Sequence, residues 1–246
     1  MSMATQHTQT LRDKLCLITG GSRGIGVEIA RMLLKEGARV VICSRSAAHL
    51  NAAVAELDKT SPGKVSGKVA DVKNHEEVGA LFEYLDQALG GLDILVNNAG
   101  VGWFKNIADI SVDDWTSVIG TNLTGAFYCI KQALPRFGAR GGGYVVNISS
   151  LAGRNAFAGA SAYNASKFGL NGFSEAVMLD SRYENVRVST IAPGSVNTEF
   201  GGQAATSDWK VQPEDIAEIV RGLLCLPART MASYVEVRPS KPPRKA

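Results

Sequence analysis

A tyrosine, a lysine and a serine form the chemically most informative group of this sequence. Tyr163 and Lys167 are four residues apart, and Ser150 lies thirteen residues before Tyr163. If this segment is helical, Tyr163 and Lys167 share one face of the helix. A phenol beside an ammonium should have a pKa below its usual value of about 10, because the positive charge favours the phenolate. Such a phenol could donate a proton to a substrate oxygen near neutral pH.

Elements that could position this group alternate regularly along the chain. Short apolar runs predict strands at 15–19, 40–44, 65–70, 94–97, 144–149, 186–191 and 234–237. Amphipathic stretches predict helices at 24–36, 47–58, 75–89, 112–136, 161–183 and 213–225. This alternation predicts an α/β fold: one domain with a doubly wound parallel seven-stranded sheet and helices on both faces. In such sheets, ligands bind at the carboxyl ends of the strands.

A glycine-rich turn follows the first predicted strand. Gly20, Gly24 and Gly26 would let the backbone approach a pyrophosphate, which the N-terminus of the next helix attracts. Their spacing differs from the usual dinucleotide-binding motif, but the order of strand, turn and helix is the one required. The turn therefore predicts a nucleotide-phosphate site.

The second predicted strand indicates which dinucleotide binds. Folds that bind NAD usually place an acidic residue at the end of this strand, where it bonds the ribose 2′-hydroxyl. Here the strand ends at Arg45 without an acid. Arg45 and Arg23 are placed to bind a 2′-phosphate instead, since a guanidinium suits bidentate phosphate contact. We predict NADP as the cofactor; the alternative is that Arg45 is only a surface cation.

Further motifs occur in order along the chain. Asp71 and Val72 follow the third predicted strand, and an Asn-Asn-Ala-Gly run ends at Gly100 after the fourth. Asn122 lies in the long predicted helix. The segment 147–153 contains Ser150, and the segment 193–198 begins with a Pro-Gly pair after the sixth strand.

On these motifs, residues 13 to 238 resemble the short-chain dehydrogenase/reductase family, and most closely its 3-oxoacyl carrier-protein reductases. The resemblance implies a Rossmann fold and an NADP-dependent oxidoreductase. It implies that the cofactor is bound by Gly20, Ser22, Arg23, Gly24, Ile25, Gly26, Arg45, Asp71, Val72, Asn98, Ala99, Gly100, Tyr163, Lys167, Pro193, Gly194, Val196 and Thr198.

The resemblance also implies a catalytic role for four residues. Tyr163 would donate a proton to the carbonyl oxygen, and Ser150 would polarise that oxygen. Lys167 would lower the pKa of Tyr163 and bind the nicotinamide ribose, while Asn122 would hold a water that links Lys167 to solvent. We assign the serine role to Ser150 and not to Ser149, because neighbouring strand residues face opposite sides.

Three segments after strands are expected to surround the substrate: 101–104, 155–157 and 195–209. Trp103, Phe104 and Phe157 would form an apolar wall, or else pack without a ligand. The short stretch 199–210 suggests an open site for bulky or extended substrates. The chain end departs from carrier-protein reductases, so a ketone or aldehyde reductase (a carbonyl reductase), a sugar, polyol or steroid-like alcohol dehydrogenase and a non-catalytic NADP-binding sensor remain alternatives.

Composition narrows the setting of this site. A net charge of only +3 does not favour a nucleic-acid partner. No apolar run approaches the length of a membrane span, so we expect a cytoplasmic protein. Neither the four cysteines nor the three histidines have ligand spacing, and we expect no metal. We expect tails at 1–12 and 239–246, and a homodimer or homotetramer that associates through helices 112–136 and 161–183.

Overall fold

The computed structural model describes residues 10–202 and 207–243. Parts of the predicted tails and of the short stretch 199–210 lie outside the described residues, namely 1–9, 203–206 and 244–246. Leu11 falls in the predicted N-terminal tail, yet its side chain is 2% exposed and belongs to the core beside the first helix. The folded domain therefore includes residue 11.

The described residues form one parallel sheet with the strand order β3-β2-β1-β4-β5-β6-β7. Its strands are β1 Leu15–Thr19, β2 Arg39–Ser44, β3 Val65–Val69, β4 Ile94–Asn97, β5 Gly143–Ile148, β6 Val186–Pro193 and β7 Tyr234–Val237. The central strands are buried along their whole length, because helices cover both faces of the sheet. The predicted doubly wound sheet is confirmed.

Two apolar layers pack the helices against this sheet. The α-helices are α1 Gly24–Lys35, α2 Ala47–Thr60, α3 His75–Leu89, α4 Val112–Ile119, α5 Gly125–Ala139, α6 Ser161–Ser181 and α7 Pro213–Leu224. Helices α1, α2 and α7 share a core with one face, and α3, α5 and α6 share a core with the other. Side chains of Ser46, Asn74 and Ser111 accept backbone N–H groups at the starts of α2, α3 and α4, which explains where these helices begin.

The predicted helix 112–136 is not a regular α-helix. A π-helical turn, Gly120–Thr124, separates α4 from α5, which extends to Ala139. A Cβ at Gly125 would lie 2.8 Å from Cγ2 of Val72, so this glycine lets the helix approach the segment after β3 closely. The apolar periodicity of the sequence continues across this π-helical turn, so the periodicity does not predict the turn. Asn122 lies within this turn. Single π-helical turns inside α-helices are frequent at functional sites.

The strand order places the predicted site at the carboxyl ends of the central strands. Strand β1 lies between β2 and β4, so the chain crosses from one half of the sheet to the other beside β1. The loops after β1 and β4 diverge at this point and leave a crevice at the carboxyl ends of the strands.

Candidate active site

A cavity of about 1320 Å³ lies along the carboxyl ends of the strands. Single small-molecule sites usually measure about 300–1,000 Å³, so this cavity has room for a dinucleotide and a substrate together. Of the residues predicted to contact the cofactor, all except Gly26 line it. Ser150 lines it as well, whereas Asn122 does not.

The glycine turn is shaped by its backbone and held from β4. Gly20 and Gly24 have φ angles of 63° and 54°, a region that favours glycine. The Asn98 amide donates hydrogen bonds to the carbonyl oxygens of Thr19 and Gly20, at 3.1 and 3.0 Å. Gly26 lies behind the turn, where a Cβ would collide with the Gly20 carbonyl. The missing Cβ lets α1 pack closely against the turn, and a contact of Gly26 with the cofactor stays a prediction.

Tyr163 and Ser150 meet inside the cavity. Tyr163 is only 9% exposed, and burial raises the pKa of its phenol, while a hydrogen bond with Ser150 lowers it in part. The Ser150 hydroxyl accepts the N–H of Ala152 at 3.1 Å. Ser149 instead donates to the Asn171 side chain at 2.6 Å. The two serines therefore have separate partners, and Ser150 is the one beside the phenol.

Lys167 lies on α6 with Tyr163 and also faces the cavity. Lys167 is 5% exposed, and its ammonium donates to the Ile148 carbonyl at 2.9 Å. Burial lowers the pKa of Lys167 to about 8. Its Nζ lies 5.8 Å from the centre of the Tyr163 ring. Burial raises the pKa of Tyr163, which is opposite in direction to the lowering by Lys167 that the sequence predicts.

Asn122 acts between two segments of the site. Its Oδ1 accepts the N–H of Val101 at 2.8 Å, and its Nδ2 donates to the Val101 carbonyl at 2.9 Å. Nδ2 also donates to the Ser166 hydroxyl at 3.0 Å. The amide thus joins the loop after β4 to helix α6. These hydrogen bonds of the Asn122 side chain go to protein groups. The role of Asn122 in holding a water therefore stays a prediction.

The two arginines expected at the 2′-phosphate are exposed and paired with carboxylates. Arg45 Nη1 lies 3.9 Å from Asp71 Oδ2, and Arg23 Nη1 lies 3.4 Å from Glu199 Oε2. Exposed pairs of this kind contribute little to stability, about 0–1 kcal/mol. Both guanidinium groups can therefore exchange these partners for an anionic ligand at small cost.

Aromatic side chains form a further part of the cavity lining. Phe104 and Phe157 line it as predicted, whereas Trp103 is not among its lining residues. Phe200 and Trp209 also line it. Both fall within the segments predicted around the substrate, but nothing in the sequence pattern distinguished the Phe200 ring, which lies 5.7 Å from that of Tyr163.

Part of the predicted C-terminal tail also reaches this cavity. Pro239 and Pro242 line it, and the Gly194 N–H donates to the Val237 carbonyl at 2.8 Å just before them. A Cβ at Gly194 would lie 3.6 Å from Cδ of Pro239. The composition of this predicted tail gives no sign of its contact with the loop after β6.

Other predicted features can be located in the structure. Cys16, Cys43 and Cys129 are buried free thiols, and Cys225 is partly exposed. His49 and His75 are exposed, although His49 also lies at the rim of the cavity. Among residues 10–202 and 207–243, no cluster of His, Cys, Asp or Glu could hold a metal ion. Within the same residues, no helix has the length and apolar character needed to cross a membrane.

Known proteins share both the sequence and the architecture of this chain. Residues 14–209 match the family model described as short chain dehydrogenase. An uncharacterised oxidoreductase of Staphylococcus aureus strain MW2 is 34% identical over 230 residues, which cover 93% of this chain and 98% of that protein. A Staphylococcus saprophyticus oxidoreductase, also uncharacterised, is 32% identical over 233 residues, 93% of this chain and 98% of its own.

Two solved structures have the same fold. An alcohol dehydrogenase from the archaeon Thermococcus sibiricus, complexed with 5-hydroxy-NADP, has a TM-score of 0.88 and 28% identity, covering 94% of this chain and 99% of that one. A metagenomic short-chain oxidoreductase in complex with NADP has a TM-score of 0.83 and 34% identity, covering 95% and 100%. The chain belongs to the short-chain dehydrogenase family and is an oxidoreductase of that family.

Proposed function

We propose that this protein is an NADP(H)-dependent oxidoreductase that interconverts a ketone and a secondary alcohol. The observation that supports it most directly is the meeting of Ser150, Tyr163 and Lys167 in the cavity that the glycine turn also lines. A proton donor beside a nucleotide-phosphate cradle is what carbonyl reduction requires.

The residues present fit the cofactor. Gly20 and Gly24 give the turn its left-handed backbone, and α1 begins at Gly24, so the N-terminus of α1 faces the cavity that the turn lines. When bound, the cofactor supplies the hydride that reduces a carbonyl carbon, or accepts it in the reverse direction. Pro193, Gly194, Val196 and Thr198, after β6, would hold its nicotinamide end.

The protein's own residues would then manage the charge that develops on the substrate oxygen. Tyr163 donates its phenolic proton to that oxygen as the carbonyl becomes an alcohol. Ser150 donates a hydrogen bond to the same oxygen and so favours the charged transition state. Lys167 supplies a buried positive charge next to Tyr163. Its ammonium would also donate hydrogen bonds to the hydroxyls of the nicotinamide ribose. Asn122 holds the loop after β4 against α6 through its hydrogen bonds to Val101 and Ser166.

The choice of NADP is supported by Arg45 and Arg23 and by the two structural neighbours, each solved with NADP or its hydroxylated form. Arg45→Asp should raise the Kd of NADPH by about 100-fold, because it removes a phosphate-binding charge and adds a repelling one. The Kd of NADH should change far less. Fluorescence titration of both cofactors measures these constants.

A control separates this effect from a general change in charge. Arg229 is exposed and does not line the cavity, so Arg229→Asp should leave both cofactor affinities unchanged. Equal losses of NADPH and NADH affinity in Arg45→Asp would contradict the 2′-phosphate assignment, and would leave Arg45 as a surface cation.

The substrate is tested by NADPH oxidation across a panel of ketones, aldehydes, acetoacetyl thioesters and sugars. A 3-oxoacyl thioester reductase would favour the thioesters, and a sugar, polyol or steroid-like alcohol dehydrogenase would oxidise the matching alcohols with NADP. A non-catalytic NADP-binding sensor would bind NADPH and oxidise it with none of them. That last outcome would refute an enzymatic function.

We also propose that the protein acts in the cytoplasm as a homodimer or homotetramer. Large apolar side chains are exposed on the helices predicted to associate: Trp115 on α4, Phe127 on α5, and Phe168 and Leu179 on α6. An exposed apolar surface of this kind is typical of subunit interfaces. Sedimentation should show an assembly at micromolar concentration; a monomer would contradict the proposal.

A further inference from the structure

We propose that the substrate of this site is a ketone that carries an aromatic ring, which Phe104 and Phe200 select. The inference rests on the proposed function, since it names the substrate class of the same cavity. It concerns the part of the cavity where the proton donor Tyr163 lies.

Three rings meet at the proton donor. The Phe104 ring centre lies 5.6 Å from that of Tyr163, with an interplanar angle of 70°. The Phe200 ring centre lies 5.7 Å from Tyr163 and 6.5 Å from Phe104. Phe157 extends the wall outward, at 6.1 Å from Phe104. A carbonyl bonded to the Tyr163 hydroxyl would therefore have its substituents beside aromatic rings.

These rings leave apolar area uncovered inside a concave site. Phe104 is 42% exposed, Phe200 is 38% exposed and Phe157 is 51% exposed, yet all three line the cavity. Ordinary core packing would bury them more completely. Uncovered apolar area in a cavity beside a proton donor indicates a surface that a ligand covers.

The backbone fixes the Phe104 side of this wall. Lys105, the next residue, forms a parallel β-bridge with Ala160 directly before α6. The Lys105 ammonium also pairs with Asp114 at 2.7 Å. Phe104 is thereby tied to the helix that carries Tyr163, and its distance from the phenol does not depend on a free loop.

The Phe200 side is tied to a different part of the chain. Val196 forms a parallel β-bridge with Val211. Asn197 donates its backbone N–H to the Val211 carbonyl at 2.9 Å and its side-chain amide to Gln212 at 3.0 Å. These contacts hold the segment that leads to Phe200 against the start of α7. The two rings thus come from separately anchored loops.

Glycines in each loop make room for the rings. A Cβ at Gly102 would lie 2.9 Å from Phe200 Cε1 and 3.0 Å from Phe104 Cζ. Gly201 has a φ of 69°, and a Cβ there would lie 2.8 Å from Phe104 Cε2. Any larger residue at either position would displace a ring. The close approach of the two rings is therefore built into the backbone of both loops.

The chemistry of this wall favours an aryl group over the other substrate classes. Aromatic rings attract one another in edge-to-face or offset arrangements at about 4.5–7 Å, beyond the gain from burying apolar area. A saturated ring or a linear acyl chain gains only the burial. The hydroxyls of a sugar would lose hydrogen bonds to water against phenylalanine rings. Two favourable ring contacts correspond to about a tenfold preference.

Three ketones with ten carbons each test this preference at equal carbonyl reactivity. They are 4-phenylbutan-2-one, 4-cyclohexylbutan-2-one and 2-decanone, which differ only beyond the second methylene group. For the wild-type protein with NADPH, we expect kcat/KM for the phenyl ketone to exceed that for the cyclohexyl ketone by about tenfold. The linear ketone should be no better than the cyclohexyl one.

Variants test whether the two rings cause the preference. Phe104→Leu and Phe200→Leu stay apolar but lose the aromatic face, so each should lower the phenyl-to-cyclohexyl ratio to about 1–3. Tyr183 is 90% exposed and lies outside the cavity lining, and Tyr183→Leu should keep the wild-type ratio. The Kd of NADPH, measured on each variant, shows that the cofactor end is intact.

Three results would overturn this inference while leaving the proposed function in place. The first is a wild-type ratio near 1. The second is reduction of other carbonyls with none of the three ketones. The third is a wild-type preference that both leucine variants retain. Failure of the proposed function looks different, because NADPH would then be oxidised with no carbonyl of any class.

Discussion

Tyr163→Phe should lower kcat for carbonyl reduction by about 100-fold or more, because a positioned general acid typically contributes about 10²–10⁴. The phenyl ring of the variant still fills the site between Phe104 and Phe200, so the cavity should keep its shape. The Kd of NADPH should stay close to the wild-type value. Steady-state NADPH oxidation with a confirmed ketone measures the first effect, and fluorescence titration measures the second.

Tyr144→Phe is the matched control for this substitution. Tyr144 is 2% exposed, and its hydroxyl lies 2.8 Å from that of Ser189, away from the cavity lining. The control should lose about 1 kcal/mol of unfolding free energy and keep its turnover. If Tyr163→Phe retained wild-type turnover, the phenol would not be the proton donor.

Lys167→Met should abolish most turnover and yet remove a destabilising charge from the ligand-free protein. The lysine is buried, its ammonium donates to the Ile148 carbonyl at 2.9 Å, and burial lowers its pKa from 10.5 to about 8. One pKa unit corresponds to about 1.4 kcal/mol, so keeping this ammonium charged costs roughly 3 kcal/mol. The loss of the bond to Ile148 offsets about 1–3 kcal/mol of that gain.

The dependence of this effect on pH follows from the direction of the shift. Below pH 8 Lys167 is protonated in both states, and the folded protein bears the whole cost. Between about pH 8 and 10.5 the folded state releases its proton while the unfolded state keeps it, so wild-type stability rises with pH relative to the variant. The free energy of unfolding of Lys167→Met, taken relative to that of the wild type, should therefore be highest below pH 8. It should fall by roughly 3 kcal/mol towards pH 10.5.

Urea unfolding of both proteins at several pH values between 7 and 10.5 measures that difference, and common titrations of other groups cancel in it. Lys59→Met, on the exposed surface of α2, is the control for charge removal and should keep full turnover. If the difference in unfolding free energy between wild type and Lys167→Met stayed constant across this range, burial would not lower the pKa of Lys167.

Much of the fold could be predicted because its signals are local. Apolar runs such as 15–19 and 94–97 became buried central strands, since a sheet covered on both faces needs continuous apolar residues. The glycine turn, Ser150, Tyr163 and Lys167 came together because carboxyl ends of parallel strands share one edge. The spacing of Tyr163 and Lys167 on one helix was enough to place both on the same face.

Features that depend on distant neighbours had no such signal. The π-helical turn at Gly120–Thr124 keeps the apolar periodicity of its helix, so the sequence predicts one regular helix there. The close packing of Gly26 against the carbonyl of Gly20 and the amide of Asn98 likewise has no signal in the local sequence. Phe200 gained its position beside Tyr163 only through the anchoring of its loop to α7.

The sequence by itself determined the order of the elements, and its residue types and spacing predict the glycine cradle, the proton donor and the two arginines that favour NADP. Tertiary structure decided the electrostatics and the shape of the substrate end. Burial, which no local pattern specifies, lowers the pKa of Lys167 and raises that of Tyr163. The convergence of Phe104 and Phe200 likewise required loops almost a hundred residues apart to pack against one phenol.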